Sequence, residues 1–453
     1  MWRPGYMELW MVAALTLTLG ACGGGGGETG AGAETGAGAE TGAGAETGAE
    51  TGAETGAGTE TEAGAGAEAG AGAETGAETE TEAGAGAETG AEAGAGAETG
   101  AGAETGGGAE VVGDSEPGPD AVVEPFSLLA FDDTRISSVG SDEHFQNADA
   151  EVDWGSGPFG RVTLVVDLRS TCFPFEQWAS DPPPPGQSWP PRCDAFDRNF
   201  EFILDRPQGE GDPPGIELVR AITPFGGPMH IEVDLTDIAN GLPGGHRLRV
   251  TIPTWSDGAG NVSGSAGGWN VSARVDVEPG PAPRHVLAVV PLFDFNHGKG
   301  TTPPSPTFSV PAGTTLGRIE YRATGHGGGT ANAGCIGPAE EFCKRRHRFL
   351  LDGAELGTQE MWLESCSHMC TLTTAPGPGG ANIQYCAQNP TGAIGSVNAP
   401  RANWCPGAVT PPWILGGAEL AEPGEHLFSY EIPGVAEGGS WRLSAVYIAL
   451  GAP

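Results

Sequence analysis

Arg161–Arg169 (RVTLVVDLR) sets Val162, Leu164, Val166 and Leu168 on one side of an extended chain and Arg161, Thr163, Asp167 and Arg169 on the other. That period of two is the pattern of a half-buried β-strand. The same alternation returns in Met229–Leu235 (MHIEVDL), His246–Ile252 (HRLRVTI), Val271–Val277 (VSARVDV) and Arg442–Leu450 (RLSAVYIAL), with Gly and Pro clusters between the runs. Short alternating runs punctuated by turn residues belong to β-sandwiches, and long helical periodicity is absent. The sequence from Ala121 onward therefore predicts an all-β fold. Glu278–Arg284 (EPGPAPR) places three prolines in seven residues, which suits neither a helix nor a central strand. It divides the region into two expected domains, about 125–278 and 285–453.

The first quarter of the chain has a different chemistry. Residues 23–110 contain 30 glycines and 18 glutamates but no Lys, Arg or aromatic residue, so they cannot build a core. This Gly-Ala-Gly-Ala-Glu-Thr repeat predicts a solvated linker over 23–124, spanning roughly 50 Å if flexible and more under its own charge. Before it, Arg3 precedes the short apolar run Met11–Leu19 and then Leu19-Gly20-Ala21-Cys22. About ten apolar residues are too few to span a bilayer, and the pattern is that of an export signal over 1–22. The small residues before Cys22 resemble a bacterial lipobox, which implies acylation of Cys22. The expectation is an exported bacterial lipoprotein at the outer membrane or cell surface, tethered to the membrane through its N-terminal lipid. With 59 acidic against 21 basic residues the chain carries a net charge of −38, which argues against a nucleic-acid partner.

Eight further cysteines, Cys172, Cys193, Cys335, Cys343, Cys366, Cys370, Cys386 and Cys405, form an even set that an exported chain would oxidise to disulfides. Their order alone does not choose a pairing. Cys366-x3-Cys370 with His368 between them could be read as a metal site, but zinc ligation by cysteine is unusual where disulfides form. The expectation is no metal and no cofactor. Candidate chemistry sits beside these cysteines. Cys193-Asp194-Ala195-Phe196-Asp197-Arg198 precedes the expected strand Asn199–Leu204; Cys335–Cys343 encloses Glu340 and Glu341; Arg401, Trp404 and Cys405 lie close together. A carboxylate fixed by a local disulfide and flanked by Arg is suited to activate water. The plain alternative for each is a solvated turn charge or a local ion pair.

The ordered set of Cys-Asp-x-x-Asp-Arg before a strand, Arg220–Phe225, Glu232–Asp237, Thr254-Trp255, Gly325-His326, Glu341-Phe342-Cys343 and Ala399–Gly407 resembles the bacterial peptide:N-glycosidase F family from about Phe131 onward. The resemblance implies two eight-stranded antiparallel jelly rolls packed side by side, with a site in the cleft between them. It implies an amidase that cleaves the bond between asparagine and N-acetylglucosamine in N-glycosylated proteins or glycopeptides without metal. On this sequence the implied catalytic carboxylates are Asp197 and Glu341. The implied substrate-binding residues are Arg198, Arg401, Trp255, Trp404 and His326. Family positions also imply the pairs Cys172–Cys193, Cys335–Cys343 and Cys386–Cys405, leaving Cys366–Cys370. Two places depart from the pattern. Pro253 stands where the family has a third carboxylate, with Asp257 a nearby substitute, and Thr324 stands where it has a tryptophan. A rival reading is a non-catalytic glycan-binding or adhesion lipoprotein on the same fold. A copper monooxygenase would need clustered ligands, and His326, His347, His368 and Met369 are scattered in sequence.

Overall fold

The computed structural model describes residues 124–170, 172, 185, 190–254, 267–328, 331–376 and 382–452. The expected signal and lipid site at Cys22, the 23–110 repeat, Trp255 and Asp257 lie outside the described residues. The first eight strands are β1 (Phe126–Ser137), β2 (Asn147–Asp153), β3 (Phe159–Ser170), β4 (Asn199–Leu204), β5 (Ile216–Ile222), β6 (Met229–Asp234), β7 (Gly245–Thr251) and β8 (Gly268–Pro279). They form two four-stranded sheets, ordered β1-β8-β3-β6 and β2-β7-β4-β5. After the proline-rich turn come β9 (Val286–Gly298), β10 (Thr307–Val310), β11 (Thr314–Gly327), β12 (Arg345–Leu351), β13 (Ala354–Met361), β14 (Leu372–Pro376), β15 (Asn382–Cys386), β16 (Trp413–Gly416), β17 (Gly424–Glu431) and β18 (Gly439–Gly451). Their sheets run β9-β18-β11-β16 and β10-β17-β12-β13, with β14 and β15 as a separate hairpin. Every pairing between these strands is antiparallel, so the chain is all-β with two sandwiches of matching strand order.

Alternation in the sequence becomes burial in the sheets. Along β8, Trp269, Val271, Ala273, Val275 and Val277 are all buried and line the first core with Val162, Leu164, Val166 and Leu168 of β3. β18 behaves differently because both of its faces are covered. Leu443, Ala445, Tyr447 and Ala449 enter the core of the second sandwich, whereas Val446, Ile448 and Leu450 enter that of the first. One strand thus belongs to one sandwich by hydrogen bonding and to both by packing.

Backbone bonds strengthen this union. Ile222 N–H at the end of β5 donates to Ala408 O (3.1 Å), Gly407 N–H to Ile222 O (3.0 Å), and Thr410 N–H to Arg220 O (2.8 Å). Beside them, fully buried Arg220 grips Glu217 through Nε and Nη2, both at 2.6 Å, and donates to Thr324 of β11 and to the carbonyl of Arg442 on β18. Arg442 in turn pairs with Glu201 (2.9 Å) of the first sandwich and with Asp294 of the second. At Gly227 a side chain is excluded, since a Cβ there would stand 2.4 Å from the carbonyl of Gln388.

The disulfides are Cys172–Cys193, Cys335–Cys343, Cys366–Cys405 and Cys370–Cys386. The first two agree with the expected pairs; the expected Cys366–Cys370 and Cys386–Cys405 are corrected. A backbone bridge between Leu363 and Arg401 lays residues 363–366 beside 398–405, so buried Cys366 meets Cys405 at 5.5 Å between Cα atoms. Cys370 leaves the 3-10 turn Ser367–Met369 and enters β14, whose register places Leu372 opposite Cys386. Cys370 therefore stands at the hairpin base, 4.5 Å from Cys386 between Cα atoms.

Candidate active site

Asp197 comes from the loop that enters β4, and this loop is fixed at several points. Cys193 is tied to Cys172. Asp194 is buried, accepts the Phe196 N–H (3.3 Å) and holds the Arg198 Nε at 3.2 Å from both carboxylate oxygens. Thr223 closes the loop by accepting the Arg198 N–H (2.9 Å) and donating to Phe196 O (3.1 Å). From the second sandwich, Thr391 Oγ1 donates to Ala195 O (3.1 Å). These bonds leave the Asp197 carboxyl half-buried, with its own backbone N–H as its hydrogen-bond donor in the loop.

Glu341 comes from the corresponding entry to β12, in the 3-10 turn Glu340–Phe342 within the Cys335–Cys343 loop. Its carbonyl accepts the Ala402 N–H (2.8 Å), which fastens the turn to the segment carrying Arg401. Arg401 is almost fully buried, lies over the rings of Phe342 (4.4 Å) and Trp404 (5.0 Å), and donates through Nη2 to Ser396 O (3.0 Å). Its Nε and Nη1 are buried and find no acceptor among the described residues. A buried charged donor left unpaired costs more than a neutral one, so these two N–H groups are conspicuous where a reaction could use them.

The three charges sense one another. Burial raises Asp197 above the usual carboxylate range, against the pull of Arg401 and Arg198. Burial and the neighbouring Asp197 push Glu341 up to about 7, opposed by Arg401. Burial lowers Arg401, while Glu341 and Asp197 sustain its charge. Two carboxyls with unlike neighbours around one guanidinium can divide the work of acid and base.

His326 and Trp404 sit beneath this group. His326 stacks on Trp404 at 5.4 Å between ring centres and bonds Thr324 Oγ1 through Nε2 (2.8 Å). Burial and Arg220 push His326 down to about 3, which keeps it neutral. Trp404 is 2% exposed and donates to Gly325 O (2.8 Å), so it supports the site from inside. Gly325 permits that approach, since a Cβ there would lie 2.7 Å from Cβ of Ala402. Thr324 is fully buried and also takes Arg220 Nη1 (3.2 Å). Pro253 is exposed beyond the end of β7. The structure thus brings Asp197, Arg198, Glu341, Arg401, Trp404 and His326 into one neighbourhood, and Trp255 lies outside the described residues.

Sequence reasoning named Glu340 without giving it a part. It is fully buried and accepts hydrogen bonds from Arg345, Trp441 and the Ala436 N–H. Among the described residues only Cys335, Glu340 and Cys343 gather three potential metal-ligand atoms within 4.8 Å, but the two cysteines are bonded to each other. His347 is buried against Tyr321 and His368 is exposed, and neither joins such a group.

Residues 296–448 match the family model described as "Peptide-N-glycosidase F, C terminal". The peptide-N(4)-(N-acetyl-beta-D-glucosaminyl)asparagine amidase F of Elizabethkingia miricola is 25% identical over 238 residues, which cover 49% of this chain and 58% of that protein. The matched region is thus less than two thirds of that relative's length. Among solved structures, recombinant peptide:N-glycanase F aligns with a TM-score of 0.53 at 19% identity, over 73% of this chain and 96% of that one. PNGF-II aligns with a TM-score of 0.52 at 17% identity, over 73% and 66%. At such identities the structural likeness speaks for the shared fold.

Proposed function

We propose that this chain, which is peptide-N-glycosidase F-like, is a glycoamidase that hydrolyses the bond between an asparagine side chain and N-acetylglucosamine. The observation that carries the reading is the pairing of Asp197 and Glu341, one from each sandwich, around the Arg401 guanidinium. In the proposed reaction Asp197 takes a proton from water as its oxygen adds to the side-chain carbonyl carbon. Arg401 and Arg198 oppose the burial that raises Asp197 and face the developing oxyanion charge. Glu341 supplies the proton that lets the glycosylamine nitrogen leave, a role matched to a carboxyl that stays protonated to about 7. The carbon–nitrogen bond breaks, and asparagine becomes aspartate.

Incubating the full chain with a denatured N-glycoprotein in heavy-oxygen water tests this. Released glycan together with heavy oxygen in the new aspartate supports the reading. Glycopeptide binding without cleavage would instead favour a glycan-binding lipoprotein, a reading to which exposed Pro253 and buried Thr324 lend weight. We further propose that the chain is exported and held to a membrane by lipid on Cys22, with the 23–110 repeat as its tether. The Cys22→Ala variant should then leave the membrane fraction and lose fatty-acid label; label retained in that variant removes the anchor.

A further inference from the structure

Adjacent residues Glu340 and Glu341 have opposite surroundings. Both Glu340 oxygens are saturated: Oε1 accepts Arg345 Nε (2.7 Å) and Trp441 Nε1 (2.8 Å), and Oε2 accepts Arg345 Nη2 (2.9 Å) and the Ala436 N–H (2.8 Å). The donors come from β12, from β18 and from the turn before β18, so three parts of the second sandwich converge on one carboxylate. Its stem has no slack, because a Cβ on Gly439 would stand 2.6 Å from Cβ of Glu340. Arg345 is itself held by Ala333 O (2.8 Å) and Asn332 Oδ1 (2.7 Å). The Glu341 carboxyl, by contrast, makes no hydrogen bond or ion pair among the described residues.

A three-residue turn has few ways to orient one side chain once its neighbour is locked. We infer that Glu340 is a positioning residue: clamped by Arg345, Trp441 and the Ala436 N–H, it fixes the turn so that Glu341 faces Arg401 and Asp197. The first sandwich carries a counterpart, in which buried Asp194 holds Arg198 on either side of Asp197. In each half an acid and an arginine hold the loop, and a second acid takes no ion-pair contact from it. This inference rests on the glycoamidase reading for its chemistry, but its geometry can be tested without it.

The test is Glu340→Gln in the full chain, since Gln keeps the shape but turns an amide NH2 toward donors. The expected result is a folded protein whose kcat falls by about 100-fold, the scale of a misplacement near 1 Å, with KM little changed. The Glu341 carboxyl, observed by carbon-13 NMR and assigned by its loss in Glu341→Gln, should move from about 7 toward the ordinary carboxylate range. A folded variant with unaltered kcat, pH profile and Glu341 titration overturns the inference. Should Glu340→Gln fail to fold, Arg345→Lys keeps the buried charge and loses the two-pronged grip; an unmoved Glu341 titration there overturns it equally. If the wild type releases no glycan, the glycoamidase reading fails, and the titration still decides whether Glu340 positions Glu341.

Discussion

Glu341 holds its proton to about 7 because burial and the nearby Asp197 both oppose its charge, and that has a consequence for stability. The unfolded chain releases this proton near its ordinary value of 4.5. Between those two values the folded state binds the extra proton, so stability falls as pH rises through the window and levels off above it. Thermal melts should show this slope in the wild type and lose it in Glu341→Gln, and a slope that survives the substitution would exclude Glu341 as its source. For Asp197→Asn, loss of the base should lower turnover by at least ~100-fold while glycopeptide binding persists. The same change removes a like charge beside Glu341, so the Glu341 titration should shift to lower pH; wild-type turnover in the variant would remove Asp197 from the mechanism. At this scale the sequence exposes residue types and withholds surroundings. Glu340 and Glu341 are indistinguishable as letters, and only Arg345, Trp441 and Ala436, brought in from β12, from β18 and from the turn before it, decide which of them is spent. Trp404 likewise reads as a sugar platform until its indole is found buried under His326 and Arg401.

Elements with one covered face were legible, because β7 and β8 carry their burial as alternation. The β14–β15 hairpin was not. Its first strand, LTTAP, shows no alternation of polar and apolar residues, and both its strands stand outside the two sandwiches, so no core imposes a pattern on them. Missing the hairpin meant missing the register that joins Cys370 to Cys386 and frees Cys366 for Cys405. The two crosslinks have different work. Opening Cys366–Cys405, which closes 39 residues, should cost about 4 kcal/mol by loop entropy, and opening Cys370–Cys386 over 16 residues about 3 kcal/mol. Only the former adjoins the strip bearing Arg401 and Trp404. Denaturant melts of the Cys→Ser double variants should therefore show comparable losses, whereas turnover should fall far more without Cys366–Cys405; equal turnover in the two would separate that crosslink from the site.

The sandwiches act as one body because β18 feeds both cores and buried charges cross the seam. Arg442 answers Glu201 on one side and Asp294 on the other, so Arg442→Met takes the nearest cation from buried Glu201 and from half-buried Asp294 and should cost roughly 3–5 kcal/mol. A denaturant midpoint unchanged in that variant would show the seam to be held by packing alone. The matched strand order sets where the two acids sit. β3 and β4 of one half occupy the places of β11 and β12 in the other, and Asp197 and Glu341 both ride on the connection between those two strands, each closed by its own disulfide. Equivalent connections in the two halves thus carry one acid each across the seam, and because each half surrounds its acid with different neighbours, two carboxyls at the same place in the fold differ in how they are held. Asp197 accepts its own backbone N–H and has the effect of burial opposed by Arg401 and Arg198, whereas for Glu341 it is opposed by Arg401 alone.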